Sequence, residues 1–353
     1  MSDGLIPLQY LELYNYTYED GDEVGTITLD VPEILNNSAI KVQLSEDGNF
    51  ININFSEDYP HVVCGHLYSK VTSFETAIEK NKYCVKLHKD PAGEKKWFLL
   101  ITSNHSENKV IDPKSAYAIF KLYAMTAQET NDTSNIEIAF QYLKFAASCG
   151  YVPATREYAT RLLQNSATFV NGVELLKLCY DKYKDIPSCF QLGIIFSQSK
   201  ETVENGLPFM TVAAESGYFD AIVGLGEYFS PLSSIPYQKK DAEKAVEYFK
   251  LALTKGEDWI ALHELAKLTF FGIGTKQDTN AGIDLQRKAK AINPDVPAIE
   301  LNDPRVNQYK QIVEDEKTSA TPWSTRGAII GASVAVASGF GLLVYKALTR
   351  KGK

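Results

Sequence analysis

Hydrophobic and polar residues alternate in short runs over roughly the first 105 residues of the chain. The clearest runs are TITLDV at 26–31, IKVQL at 40–44 and FININF at 50–55. Alternation with a period of two places apolar side chains on one face of a β-strand. Further runs lie at 13–18, 62–71, 76–79, 83–89 and 97–102, with turn residues between them. The pattern predicts an antiparallel β-sandwich over residues 1–105.

After Pro113 the hydrophobic period changes from 2 to 3.6, and Lys114–Gln128 is the first predicted helix. A similar helix pattern then recurs, beginning near Ala139, Gly172, Gly206, Ala245 and Gly282. The offsets of 33, 34, 39 and 37 residues are typical of an αα-solenoid, in which stacked units share a core. The sequence therefore predicts helical repeats over residues 112–316, ending in a capping helix after Asp303-Pro304.

Glycines follow several of the predicted first helices. Gly150, Gly217 and Gly256 stand where a helix C-cap requires a positive φ. Each is followed, four or five residues later, by the alanine that begins a second helix. We therefore expect helix–turn–helix units that pack closely across small side chains.

The end of the chain contains a long uncharged segment. Residues 327–345, GAIIGASVAVASGFGLLVY, would reach about 28 Å as a helix, close to the thickness of the hydrocarbon core of a bilayer. The alternative is a buried core helix, but nothing apolar follows it, and the tail at 347–353 is basic. We therefore expect one C-terminal membrane span at 327–346 behind a linker at 317–326, with Trp323 as an interfacial anchor.

The N-terminus has no basic region followed by an apolar run, so we expect no signal peptide and a body that stays in the cytosol as a tail-anchored protein. The last 28 residues carry five basic residues and no acidic one. The preceding 325 residues have 31 basic and 44 acidic residues, a net charge of −13. Such an acidic body disfavours nucleic acid and is compatible with basic peptide partners, although solubility alone would also account for it.

Motifs for chemistry are missing from the sequence. The five histidines have no paired ligand spacing, and no nucleotide-binding loop or nucleophile motif occurs. The five cysteines form no CxxC pair and lie in apolar patterns, which indicates reduced core thiols. We expect a protein that is not an enzyme, with no catalytic residue, metal site or cofactor.

Three strands of the predicted sandwich carry a family resemblance. The residues are Gly65 and Leu67, then Val85, Leu87 and Lys89, and finally Trp97. In that order they resemble the CS domain of the p23 and NudC co-chaperones, a relative of the Hsp20 fold. The resemblance implies a protein-binding sandwich. Phe98 stands where a second tryptophan is common, so Hsp90 binding stays open, as does whether Trp97 fills the core or contacts a client.

Two stretches of the helical region, 213–229 and 262–289, resemble Sel1-like repeats, relatives of tetratricopeptide repeats. Gly272, Gly274, Asp278 and Ala281 match the turn between such repeats. The resemblance implies a scaffold that binds proteins through its concave face. Repeats that hold Hsp70 or Hsp90 tails use lysines to clamp a carboxylate, for which Lys144, Lys177 and Lys250 are candidates. Ordinary solvated lysines are the alternative.

The order of the three parts resembles the tail-anchored receptors of the TOM complex in trichomonad hydrogenosomes. This resemblance implies a receptor that binds precursor proteins, or their Hsp70 or Hsp90 chaperones, and passes them to a β-barrel import channel with small translocase subunits. The short span, rich in Ala, Gly and Ser, favours the outer membrane of a mitochondrion or hydrogenosome. The alternatives are a tail-anchored co-chaperone without a translocase role and a Sel1-type adaptor of the ER membrane.

Small residues recur along the predicted span, at Gly327, Gly331, Gly339 and Gly341. Small side chains allow close approach between helices in a membrane. The span is therefore predicted to dock the receptor onto its channel. A simple bias toward alanine and glycine is the alternative explanation.

Overall fold

The structure is a computed structural model that describes residues 5–35, 39–79, 82–103, 110–130 and 132–318. The chain divides into two compact units, Met1–Leu162 and Leu163–Lys353. Among the described residues, the first contains the strands, a 3-10 helix and three α-helices, and the second contains the other α-helices.

Two four-stranded antiparallel sheets form the N-terminal part of the first unit. The first sheet has the order β1 (Thr17–Asp20), β2 (Val24–Leu29), β7 (Lys82–Lys89), β6 (Val71–Glu79). The second has the order β3 (Lys41–Leu44), β4 (Phe50–Asn54), β5 (Val63–Leu67), β8 (Ile101–Ser103). Ile27 and Val85 of the first sheet share one buried cluster with Ile51 and Ile101 of the second. The antiparallel β prediction is confirmed.

Three of the predicted strands are wrong, and the one at 97–102 is reduced to β8 at Ile101–Ser103. Residues 13–18 were expected to form the first strand, but Leu8–Asn15 is a 3-10 helix and β1 begins at Thr17. Leu13 and Tyr14 are neighbours and both fully buried, an arrangement that a strand with one buried face does not produce. The predicted strand at 62–71 is also two strands, because β5 ends at Leu67 and β6 begins at Val71.

Helices α1 (Pro113–Thr130), α2 (Thr133–Ser148) and α3 (Val152–Leu162) belong to the first unit. Ile119 of α1 and Leu143 of α2 lie in the same buried cluster as the residues of both sheets. The first compact unit therefore extends well past residue 105, where the sequence pattern changes from strands to helices.

Most helices of the second unit pack against their neighbours along the chain, as in the predicted solenoid. They are α4 (Phe169–Tyr183), α5 (Ile186–Ser197), α6 (Val203–Glu215), α7 (Phe219–Phe229), α8 (Ala242–Lys255), α9 (Trp259–Phe271), α10 (Thr279–Ile292) and α11 (Pro304–Thr318). Three of these helices, α8, α9 and α10, begin after an aspartate N-cap. Each cap side chain accepts a hydrogen bond from the backbone N–H three residues further along, and the caps are Asp241, Asp258 and Asp278. The helical prediction is confirmed, and α11 after Asp303 is the last helix in the part of the chain that the structure describes.

No helix within the described ranges is both long and apolar enough to cross a bilayer. The predicted span at 327–346, with Gly327, Gly331, Gly339 and Gly341, lies outside the residues that the structure describes. Trp323 and the basic tail at 347–353 lie outside them as well.

Candidate protein-binding surfaces

Four of the residues that carry the CS resemblance lie in the core of the sandwich. Leu67, Val85 and Leu87 are all buried. Gly65 lies on β5 with φ +147°, and a Cβ there would be 2.4 Å from Cγ2 of Ile101 on the neighbouring β8. A side chain at residue 65 would push β8 away, so glycine is required for this pairing. These four residues therefore determine how the sandwich packs.

Lys89 and Trp97 form a second cluster with Asp20. The Lys89 ammonium lies 2.6 Å from Oδ1 of Asp20 and 4.9 Å from the centre of the Trp97 ring. Oδ2 of Asp20 accepts a hydrogen bond of 3.0 Å from the backbone N–H of Trp97. Trp97 is only 5% exposed, and its indole N–H donates to the carbonyl of Glu94 at 2.8 Å. The cluster fastens the segment before β8 onto the first sheet.

The electrostatics of Asp20 follow from these contacts. Burial disfavours its carboxylate, but hydrogen bonds from the Lys89 ammonium, the Trp97 N–H and the Tyr18 hydroxyl outweigh it and lower the pKa of Asp20. The tryptophan that resembles the family signature is thus a core residue. Phe98, which departs from the family pattern, is 84% exposed and lies edge-on to Tyr68 at 6.1 Å.

A buried carboxyl joins the second sheet to α1. Asp112 is fully buried, and its oxygens accept backbone hydrogen bonds from Cys64 on β5 at 2.9 Å and from Ser115 in the first turn of α1 at 2.8 Å. The hydroxyl of Tyr16 is 3.4 Å from Oδ1. Burial raises the pKa of Asp112 to about 6, although the hydrogen bonds favour its charged form. The sequence gives no sign of this link, since an aspartate before a helix is usually an exposed cap.

Helix α2 has apolar side chains on two opposite sides. Leu143 and Ala146 are fully buried in the unit's core. Ile138 and Phe145, seven residues apart and so on one face, are each 38% exposed on the other side. We call Ile138 and Phe145 the outer α2 face. Charged and amide residues occupy part of the exposed surface of α2. Exposed apolar side chains beside them can contact another protein, so this face is a candidate protein-binding surface.

The three candidate lysines lie on different helices. Lys144 on α2 and Lys250 on α8 are exposed. Lys177 on α4 is partly buried, with its ammonium 5.7 Å from the centre of the Phe196 ring. Lys144 belongs to the first unit and the other two to the second. A carboxylate clamp made from these lysines stays a prediction.

A charged cluster of Glu227 on α7 with Glu264 and Lys267 on α9 was not predicted from the sequence. The Lys267 ammonium lies 2.6 Å from Oε1 of Glu264, and the two side chains are 11% and 13% exposed. Oε2 of Glu264 is buried and has no hydrogen-bond partner among the described residues. Burial, followed by the charge of Glu264, raises the pKa of Glu227 on α7. The i, i+3 spacing of Glu264 and Lys267 was the available signal.

The Lys240 side chain closes the end of α7. Its ammonium donates hydrogen bonds to the carbonyl of Tyr228 at 3.0 Å and to Oγ of Ser233 at 2.9 Å. These contacts satisfy carbonyl groups that a helix end leaves unpaired. Burial lowers the pKa of Lys240 to about 7, against the opposing effect of Glu227.

Across the described ranges, no group of three or more His, Cys, Asp or Glu side chains could hold a metal ion.

The Sel1 repeat family model matches residues 132–151, 220–257 and 259–291. The helical region contains Sel1-like repeats. We call residues 220–291 the Sel1 region. Its first match, 220–257, covers α7 and α8, and its second, 259–291, covers α9 and α10, so each match is one helix pair. The segment 152–219 lies between the matched parts and also consists of successive helices joined by short turns, but it does not match the family model.

Solved structures also match the chain, among them the following two. The Sel1 repeat protein from Oxalobacter formigenes has a TM-score of 0.42 and 16% identity, over 60% of this chain and 91% of that one. The antigen c5321, present in uropathogenic Escherichia coli strains and displaying an SLR fold, has a TM-score of 0.41 and 16% identity, over 67% of this chain and 53% of that one. No curated protein is significantly similar in sequence.

Proposed function

We propose that this protein is a receptor of an outer-membrane protein translocase. It binds precursor proteins, or the Hsp70 and Hsp90 chaperones that carry them, and passes them to a β-barrel import channel. The observation that carries the proposal is the outer α2 face, where Ile138 and Phe145 expose apolar surface on a helix whose opposite side is already buried. Precursors that have not folded expose apolar segments, which such a surface can cover.

The Sel1 region supports the same proposal. Stacked helix pairs present extended surfaces, and repeats of this kind act as scaffolds for protein–protein interaction. The chain therefore combines two modules suited to holding other polypeptides, a sandwich with three helices and a repeat region. Neither module offers an active site by its sequence motifs, which fits a receptor better than an enzyme.

Membrane attachment is supported by the sequence of residues 327–346. We propose that this segment spans the outer membrane of a mitochondrion or hydrogenosome and leaves the N-terminal body in the cytosol. Gly327, Gly331, Gly339 and Gly341 would let a channel subunit approach closely. Gly331→Leu and Gly339→Leu should then release the receptor from the channel and leave it in the membrane.

A localisation experiment tests the proposal. A fluorescent tag at the N-terminus should mark the mitochondrial or hydrogenosomal surface, and the protein should stay in the pellet after alkaline extraction. Protease added to intact organelles should remove the tagged body. Residence in the ER would contradict the proposal and favour a Sel1-type adaptor of that membrane.

The exposed Phe98 favours a second candidate function, a tail-anchored Hsp90 or Hsp70 co-chaperone without a translocase role. Phe98 is 84% exposed in the segment before β8, where an aromatic side chain can contact another protein. Capture of Hsp90 from a cytosolic extract by the intact protein, lost in Phe98→Ser and without any channel subunit, would favour this candidate over the receptor.

A further inference from the structure

The two sheets of the sandwich have four edge strands, and one differs from the rest. By sheet order the edges are β1, β6, β3 and β8. Strands β1 and β3 have four residues each and β8 has three, whereas β6 has nine. Short edges are a common protection against unwanted strand pairing. A nine-residue edge without that protection can template another strand.

Some side chains on the side of β6 that faces the core are themselves not buried in it. Phe74, Thr76 and Ile78 lie directly opposite Leu87, Val85 and Tyr83 of β7. Residues opposite each other point to the same side of the sheet, and Leu87 and Val85 are fully buried in the core. Ile78 is nevertheless 60% exposed. At the end of β6, the exposed apolar side chain of Ile78 therefore lies beside an edge whose backbone groups pair with no other described strand.

The other side of β6 is acidic. Glu75 and Glu79 lie opposite Lys86 and Lys82 of β7. The carboxylate of Glu79 is 2.7 Å from the Lys86 ammonium, and that of Glu75 is 3.6 Å from Nε2 of His88. The Glu75 and Glu79 side chains are 70% and 53% exposed, so both carboxylates stay accessible from the edge.

Charge on β6 comes only from Glu75 and Glu79, and two other common edge protections are missing from this strand. The sequence VTSFETAIE contains neither proline nor lysine, and its bulge lies at the start, between Val71 and Ser73. The remaining length from Ser73 to Glu79 is regular and pairs with β7 alone among the described strands.

We propose that β6 is a docking edge for an extended segment of a partner polypeptide in which basic and apolar residues alternate. The incoming strand would add to the first sheet through main-chain hydrogen bonds. Its apolar side chains would cover Ile78, and its basic side chains would face Glu75 and Glu79. This inference goes beyond the proposed function, because it involves neither the outer α2 face nor the membrane segment.

Charge disfavours pairing of β6 with a second copy of itself in the register centred on Ala77. Two copies of β6 paired in antiparallel fashion about Ala77 would place Glu75 of each copy opposite Glu79 of the other. Like charges directly opposite each other destabilise a strand pair. An alternating basic strand replaces both repulsions with attractions.

The test is fluorescence anisotropy on the full-length chain in neutral detergent. The probe is a labelled octapeptide that alternates valine and lysine. One control peptide has the same composition in two blocks of four, and another carries N-methyl groups on alternate amides. Ile78→Lys and Glu75→Lys are the test variants, and Leu301→Lys, at a 71% exposed position in the second unit, is the matched control.

We expect the alternating peptide to bind at least about tenfold more tightly than the block or N-methylated peptide. Ile78→Lys and Glu75→Lys should each weaken binding by about tenfold, and Leu301→Lys should not change it. The proposal is overturned if the block peptide binds equally well or if neither test variant weakens binding. It is also overturned if the wild type sediments as a dimer that Ile78→Lys dissociates, because a second copy would then occupy the edge. Should one variant unfold, the other and the N-methylated peptide still decide.

Discussion

The ammonium of Lys89 lies 2.6 Å from Oδ1 of Asp20, although the two residues are 69 positions apart in the sequence. The Lys89 side chain is 3% exposed and that of Asp20 is 25% exposed. The pair joins the end of β1 to the end of β7 and, through the Trp97 N–H, to the segment before β8. One ion pair thus connects three parts of the sandwich.

Replacing Asp20 should therefore be costly. Asp20→Asn leaves the ammonium of Lys89 buried without its counter-charge, and breaking such a pair destabilises a protein by about 3 kcal/mol. The measurement is urea unfolding, in a chain whose Trp259 and Trp323 are replaced by phenylalanine so that Trp97 reports on the sandwich. Asp30→Asn is the control, because the Asp30–Lys82 pair at 2.9 Å is about half exposed on both sides. That change should cost less than about 1 kcal/mol; equal losses from the two variants would contradict a buried role for the first pair.

The Asp112 carboxyl should make stability depend on pH. Its pKa is raised from 3.8 to about 6 in the folded chain, so ionisation is harder there than in the unfolded chain. The contribution of Asp112 to the free energy of unfolding is therefore largest below about pH 4, and it falls as the pH rises to about 6. A difference of about two pKa units corresponds to about 3 kcal/mol.

Comparison with Asp112→Asn isolates this effect, since other titrating groups contribute to both proteins. The stability of the wild type relative to the variant should increase by up to about 3 kcal/mol between pH 7.5 and pH 4, measured by the same urea unfolding. A difference that is constant over this range would show that the carboxyl ionises normally despite its burial.

The two sides of α2 should respond differently to substitution. Leu143→Ala removes a fully buried side chain and should cost about 2–5 kcal/mol. Phe145→Ser, two residues along the same helix, changes a 38% exposed side chain and should cost less, about 1–2 kcal/mol. Thermal unfolding of both variants gives the comparison. A loss of several kcal/mol for Phe145→Ser would mean that the outer α2 face packs within the protein and is not a binding surface.

Periodicity predicted the regular elements well because burial on one face imposes it. The run FININF at 50–55 became β4 at Phe50–Asn54, and the recurring helix pattern became the helix pairs of the second unit. Leu8–Asn15 was missed since its apolar and aromatic residues follow neither period clearly. The glycine predictions split in the same way. Gly217 caps its helix with φ +82°, but Gly256 has an extended φ of 177° that other residues also adopt.

The contacts that organise the candidate surfaces were not predictable from one sequence. Asp112 bonds to Cys64, 48 residues away, and Asp20 bonds to Lys89 across most of the sandwich. A sequence pattern indicates which side of an element is buried but not which element covers it. For the same reason it could identify Trp97 as a signature residue but could not decide that the indole faces the core.

Site-specific crosslinking on isolated organelles tests the receptor proposal most directly. A photoreactive residue at position 145, on the outer α2 face, should crosslink to a precursor arrested during import. The same residue at position 301, which is more exposed and lies in the second unit, should crosslink far less. If arrested precursors never reach position 145, and removal of the cytosolic body by protease leaves import unchanged, the protein is not an import receptor.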